Sequence, residues 1–289
     1  MSASRGRERR WALHLLARHA CHLASLRVGA ALLPMLPAPA RVSLAEGAFA
    51  VLGPLLQAER HGRAFDTLQR LGHAPPSATT FATRFLAGRW LRRAHAHRLQ
   101  SLPFPDLQHL LRSMVWRDPA ALWASAAGRR RVVCLLPSGD INLAMAALLD
   151  RPGAPAHYFI NSHHHEASSA HRTLMALQRQ GHRLEVGQSL RNGRAWRQLR
   201  RGATVVTVLD PCPWRVSGSA VEPAPLRLAR LAQVPVLLLG HRCDGGAAGT
   251  LHVLGEYSAT SIASGATALY ATAHAFLAAA PHDWRDLDR

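Results

Sequence analysis

Ser138 and Asp140 share one short stretch, Leu135-Leu136-Pro137-Ser138-Gly139-Asp140-Ile141-Asn142, between a β-branched run and a helical pattern. A hydroxyl beside a carboxylate is a candidate nucleophile or hydroxyl-orienting pair, and the same residue types are preferred caps for a helix opening at Ile141. Capping is the plainer of these two roles. Further on, His163-His164-His165-Glu166 precedes His171. One of these imidazoles can take a proton from a hydroxyl near neutral pH, and three with a carboxylate can hold zinc. Adjacent residues rarely point at one centre and no usual ligand spacing occurs, so a solvated loop is the alternative; neither metal nor cofactor is expected. Asp210 ends the strongest β-branched run, where it either borders a site or caps a turn. Arg172 and Arg242 are candidates to grip an anionic headgroup or a carrier phosphate, because a guanidinium binds phosphate as a two-pronged fork.

These residues need a scaffold, and the chain is long enough to supply one. Its 289 residues, 48% hydrophobic, can bury a sizeable core. Short β-branched runs at Val132–Leu136, His157–Ile160, Thr204–Leu209 and Val234–Leu239 alternate with helical segments at 142–149, 167–180, 193–201 and 225–232. Strand-helix alternation predicts an α/β fold with a largely parallel twisted sheet flanked by helices. Residues 43–111 read as helical, punctuated by Gly72, Pro75, Pro76, Pro103 and Pro105. The expected organisation is a basic N-terminal segment (1–40), a helical region (41–126) and an α/β core (127–289).

All 35 basic side chains are arginine, against 17 carboxylates, a formal net charge of +18. Such an excess attracts nucleic acid, anionic lipid or an acidic carrier protein. Aromatic residues make up only 6% of the chain and no nucleic-acid motif occurs, which argues against the first. Cys21, Cys134, Cys212 and Cys243 form no C-x-x-C pair, so neither a zinc ribbon nor a disulfide framework is indicated. The absence of G-x-G-x-x-G after the first core strand disfavours a dinucleotide enzyme. Near the N-terminus, Arg5, Arg7, Arg9 and Arg10 precede an amphipathic pattern, with His14, Arg18, His22 and Ser25 opposite Leu13, Leu16, Ala20 and Leu23. An interfacial helix is expected there. A helix docked on the protein's own core, or a signal peptide ending near Ala38-Pro39-Ala40, are the alternatives.

From about Arg131 onward, the order of landmarks resembles the lipid A acyltransferase family, within the glycerophospholipid acyltransferase superfamily. The first strand runs through a Gly-containing turn into a helix. A second strand and an Arg-bearing helix end at Arg179-Gln180-Gly181. Leu199-Arg200-Arg201-Gly202 leads to the strand ending at Asp210, then Gly218 and Ala224 precede the strand at Val234, and Pro281-His282-Asp283-Trp284 is similar to a closing Pro-x-x-Trp. The resemblance implies an acyltransferase moving a fatty acyl chain from acyl carrier protein or acyl-CoA to a glycolipid or other hydroxyl on a lipid acceptor. It also implies an anionic membrane surface as partner, at the cytoplasmic face of the inner membrane, held peripherally or by one N-terminal anchor. In that family, in a pair spaced H-x-x-x-x-D/E, the His takes the proton from the acceptor hydroxyl as it attacks the acyl thioester, and the carboxylate fixes the imidazole's tautomer. Here Pro137 stands where the His belongs and Asn142 where the carboxylate belongs, so neither role is filled. A literal match at His61 and Asp66 falls in the helical half, with no strand before it. The competing expectation is a catalytically silent homologue that binds lipid or carrier protein.

Overall fold

The computed structural model describes residues 35–125, 129–149, 151, 154–155, 157–161, 178, 183–187, 193–211, 222–243, 248–285 and 287. Among the described residues four helices come first: α1 (Ala38–Leu56), α2 (Ala58–Arg70), α3 (Pro75–Ser101) and α4 (Phe104–Arg112). Proline sits in the first turn of α1, α3 and α4, where its missing N–H leaves no intrahelical bond unmade. The chain continues as β1 (Val115–Arg117), α5 (Leu122–Ser125), β2 (Val132–Leu135), α6 (Ile141–Leu149), β3 (His157–Asn161) and β4 (Arg183–Gly187). It then forms α7 (Arg194–Arg200), β5 (Thr204–Val208), α8 (Ala224–Ala232), β6 (Val236–Arg242), β7 (Thr250–Tyr257), α9 (Ala259–Ala263), α10 (Thr267–Ala278) and a 3-10 turn at Pro281–Asp283.

Among the described residues seven strands make one sheet in the order β1-β7-β6-β2-β5-β3-β4. All neighbours pair in parallel except β6 with β7. The protein is therefore α/β, with a mostly parallel sheet flanked by helices. Three strands escape sequence reading for identifiable reasons. β1 is only three residues long, β4 alternates apolar with charged residues (Arg183, Leu184, Glu185, Val186), and β7 carries His252, Gly255 and Glu256 among its apolar positions. The helix expected over 167–180 lies outside the described residues apart from Gln178, as does the N-terminal amphipathic pattern up to residue 34. Among the described residues no helix is long and apolar enough to cross a membrane.

β2 is buried along its whole length and divides the core in two. Val132, Cys134 and Leu136 face a cluster built with α2, α3, α8 and α10, whereas Val133 and Leu135 face one built with α4, α5 and α6. Successive strand side chains point to opposite faces, so an unbroken apolar run is what a centrally placed strand covered on both sides requires. From β2 the chain crosses beyond β5 to reach β3, and later returns from β5 past β2 to β6. The C-terminal end of β2 is thus a point where connections diverge, the usual location of a ligand crevice in such sheets.

Candidate functional site: an arginine-lined cleft at the end of β2

The turn leaving β2 is held by a histidine that sequence reading did not single out. Gly139 has φ +57°, and a Cβ there would stand 2.3 Å from His241 Nδ1, so only glycine fits. His241, on β6, accepts the Asp140 N–H at Nδ1 (3.0 Å), pairs through Nε2 with the Ala248 carbonyl (2.9 Å), and donates its own N–H to the Ser138 hydroxyl (3.2 Å). Because Nδ1 accepts a backbone N–H, the proton sits on Nε2 and is donated to Ala248. Both ring nitrogens are engaged, so this imidazole braces the turn. Ser138 is fully enclosed. Asp140 Oδ1 accepts the N–H groups of Asn142 and Leu143 at 3.0 Å each and caps α6.

The far end of the described chain closes over the same turn. Arg285 N–H donates to the Pro137 carbonyl (2.7 Å), Gly139 N–H donates to the Asp283 carbonyl (2.7 Å), and Ser138 forms an isolated bridge with the buried Trp284. The Asp283 carboxylate is buried and accepts the Cys243 N–H at 3.3 Å. α3 crosses close by: a Cβ on Gly88 would approach the His282 carbonyl to 2.2 Å.

Between α2, α3 and this turn lies a cleft of about 550 Å³. Its walls are Glu59, Arg60 and Arg63 from α2, Arg89, Arg92, Arg93 and Ala96 from α3, and Gly139, Asp140, Asn142 and Arg285. Six arginines thus face two carboxylates, of which Glu59 is paired with Arg63 and Asp140 is occupied as a cap. No family model and no curated protein matches this chain. The site must therefore be read from its own chemistry, and Arg92 is its most informative residue. One arm, Nη1, donates to the His282 carbonyl, while Nη2 is buried and has no acceptor. Across the cleft, Asn142 Oδ1 is buried without a donor. Burial is the main influence pushing the Arg92 guanidinium down, with Arg285 adding to it against Asp283 and Asp140. A guanidinium nevertheless stays charged, so Arg92 adds a buried positive charge to the cleft wall.

The other sequence candidates are distributed differently. Asp210 is exposed just beyond β5 and does not line the cleft. The described histidine beside it is His274 on α10, which hydrogen-bonds the Pro211 backbone and feels the Asp210 charge. Neither composition nor spacing announces that pairing, since 64 positions separate the two residues. Arg242 is packed over the Phe276 ring, 4.0 Å from its centroid, and donates to the Phe276 carbonyl. His61 pairs with Thr83 Oγ1 (3.3 Å) while Asp66 is exposed, so this literal H-x-x-x-x-D match is no working dyad. His163, His164, His165 and Arg172 lie outside the described residues. No metal-binding group of three His, Cys, Asp or Glu occurs among the described residues.

His274 carries a pH signature. Burial pushes its pKa below 6.5, outweighing the Pro211 hydrogen bond and the Asp210 charge. The unfolded chain therefore takes up this proton first. The stabilising contribution is present above pH 6.5 and is lost as pH falls through that value towards the lower folded one. Thermal melts from pH 7.5 to 5 are expected to show a steeper loss of Tm for wild type than for His274→Gln. Parallel curves would remove this assignment.

Proposed function

We propose that this chain is a catalytically silent relative of the lipid A acyltransferases, which holds a phosphate-bearing lipid or acyl carrier instead of transferring the acyl group. The reading is supported by the position of the cleft at the end of β2 and by its cationic lining. It is also supported by the replacement of both proton-transfer residues, by Pro137 and Asn142. One observation carries it: Arg92, whose Nη2 is buried without an acceptor, stands in the wall of a cleft lined by six arginines and no described histidine. A phosphate ester supplies the acceptors this arm lacks, and its charge offsets the cost of burying the guanidinium. The phosphate can belong to a lipid headgroup or to the phosphopantetheine arm of carrier protein or coenzyme A. The place of action in this reading is the cytoplasmic face of the inner membrane.

Calorimetric titration separates these sources. Soluble dihexanoyl phosphatidic acid, coenzyme A and inorganic phosphate are compared with dihexanoyl glycerol, which has the same chains and no phosphate. Binding of at least one phosphate ester, with no heat from the uncharged glyceride, is expected. Equal binding of the glyceride, or none of any probe, would remove the reading.

A further inference from the structure

A helix on the surface of a water-soluble domain presents charged or polar groups to solvent. α1 does not. Its exposed positions include Ser43, Leu44, Gly47, Ala48, Val51 and Leu52, none of them charged. Leu44, Gly47, Ala48 and Val51 follow the i, i+3, i+4, i+7 spacing that makes one continuous stripe. The opposite side, through Ala45, Phe49 and Gly53, meets the rest of the helical layer, where Phe49 packs on Trp90 of α3 with ring centroids 6.4 Å apart. Four of the seven large apolar side chains exposed among the described residues, Met35, Leu44, Val51 and Leu52, belong to this helix or lie just before it. They are 48% to 80% exposed. Scattered exposed leucines need no explanation, but a stripe does.

We infer that the outward face of α1 seats in the interfacial layer of an anionic lipid membrane. Electrostatics chooses this occupant. The carboxylate on α1, Glu46, is neutralised by Arg84 at 3.4 Å, so no unpaired negative charge on the helix opposes lipid phosphates. Arg41, half-buried on α1 itself, stands three residues before Leu44 at the start of the stripe, and the chain as a whole carries +18. An uncharged stripe bordered by arginine is the pattern of a helix lying in the plane of a membrane surface, where burial of apolar side chains and attraction to anionic headgroups add. The inference extends the proposed lipid-binding role, but it rests on a different surface and can fail separately from it.

The test replaces Leu44, Val51 and Leu52 together by Gln, which removes apolar area without adding charge. Sedimentation with phosphatidylcholine vesicles containing phosphatidylglycerol is measured beside thermal melting and molar mass by light scattering. The full chain is expected to sediment with the anionic vesicles and not with phosphatidylcholine alone. The triple variant should bind at least about tenfold more weakly with unchanged Tm and mass. Unchanged vesicle binding in the triple variant overturns the inference. So does a wild-type dimer that the triple variant converts to monomer without loss of vesicle binding, which assigns the face to a second copy. Vesicle binding that depends on Leu44, Val51 and Leu52 only after residues 1–34 are deleted also overturns it, and assigns the face to that segment. Titration of the triple variant with dihexanoyl phosphatidic acid distinguishes the two surfaces. Retained binding there with lost vesicle binding supports the α1 surface as separate from the cleft, and loss of both overturns that separation.

Discussion

Replacing Arg92 by methionine should weaken binding of the phosphate-bearing probe about 10- to 150-fold, the range expected for losing one hydrogen bond to a charged group. Methionine keeps an unbranched apolar stem of similar reach while removing the charge and the fork. Arg92→Lys restores the charge without the two-pronged geometry and should fall between wild type and methionine. The contact of Nη1 with His282 also braces the closing turn, so each variant's melting curve must accompany its titration. Arg227 supplies the control, being exposed on α8 and absent from the cleft walls. Arg227→Met should leave affinity unchanged. A loss of equal size for Arg227→Met would mean that the probe responds to overall charge and not to the cleft.

If the proposed relationship to the lipid A acyltransferases holds, a larger effect is expected from installing that family's proton-transfer pair. Pro137→His with Asn142→Glu should raise acyl transfer from an acyl carrier thioester to a lipid hydroxyl by about 10²- to 10⁴-fold over wild type, the usual contribution of a positioned general base. Either single change should do much less, because the two groups act as a unit. Position 142 is ready for the exchange: it faces the cleft in the first turn of α6, where a carboxylate is favoured by the helix dipole. Position 137 is buried under the Arg285 contact, so the imidazole must displace that cover to reach the acceptor. Brisk turnover by wild type, with the double variant slower, would show that another base has taken over and that the silent reading is wrong. His163, His164 and His165 would then be the first to examine. A folded double variant with no gain would mean that the cleft no longer admits the thioester at all.

How far the sequence reveals this arrangement depends on whether a feature is local. β2 is plain because Val132 through Leu136 is an unbroken apolar run, and α6 is plain because Asp140 stands one residue before a helix opening at Ile141. The parallel sheet follows from strand-helix alternation. The cleft is hidden for the opposite reason. Arg60 and Arg63 are separated from Arg89, Arg92 and Arg93 by a helix boundary, and Arg285 lies nearly two hundred residues further on. With 35 arginines in the chain, no composition argument picks these six. His241 is likewise invisible, since its role depends on the register of β6 beside β2, which puts Leu239 against Leu135 and carries His241 to the turn. His163 to His165 stand out in the sequence by adjacency and lie outside the described residues.

The contacts from residues 283–285 back to 137–139 set the order in which the molecule can be completed. They join positions about 145 apart along the chain, and closing a loop of that length carries an entropy cost that neighbouring contacts do not. β2, β5 and β6 can all pair before residue 281 has left the ribosome. The cleft cannot take its final shape until Trp284 is in place. During synthesis five of the six arginines are therefore present before the pocket that organises them, and Arg285 arrives only with the closing contacts. In the proposed binding role, selectivity for one ligand would begin only when the last contact shuts.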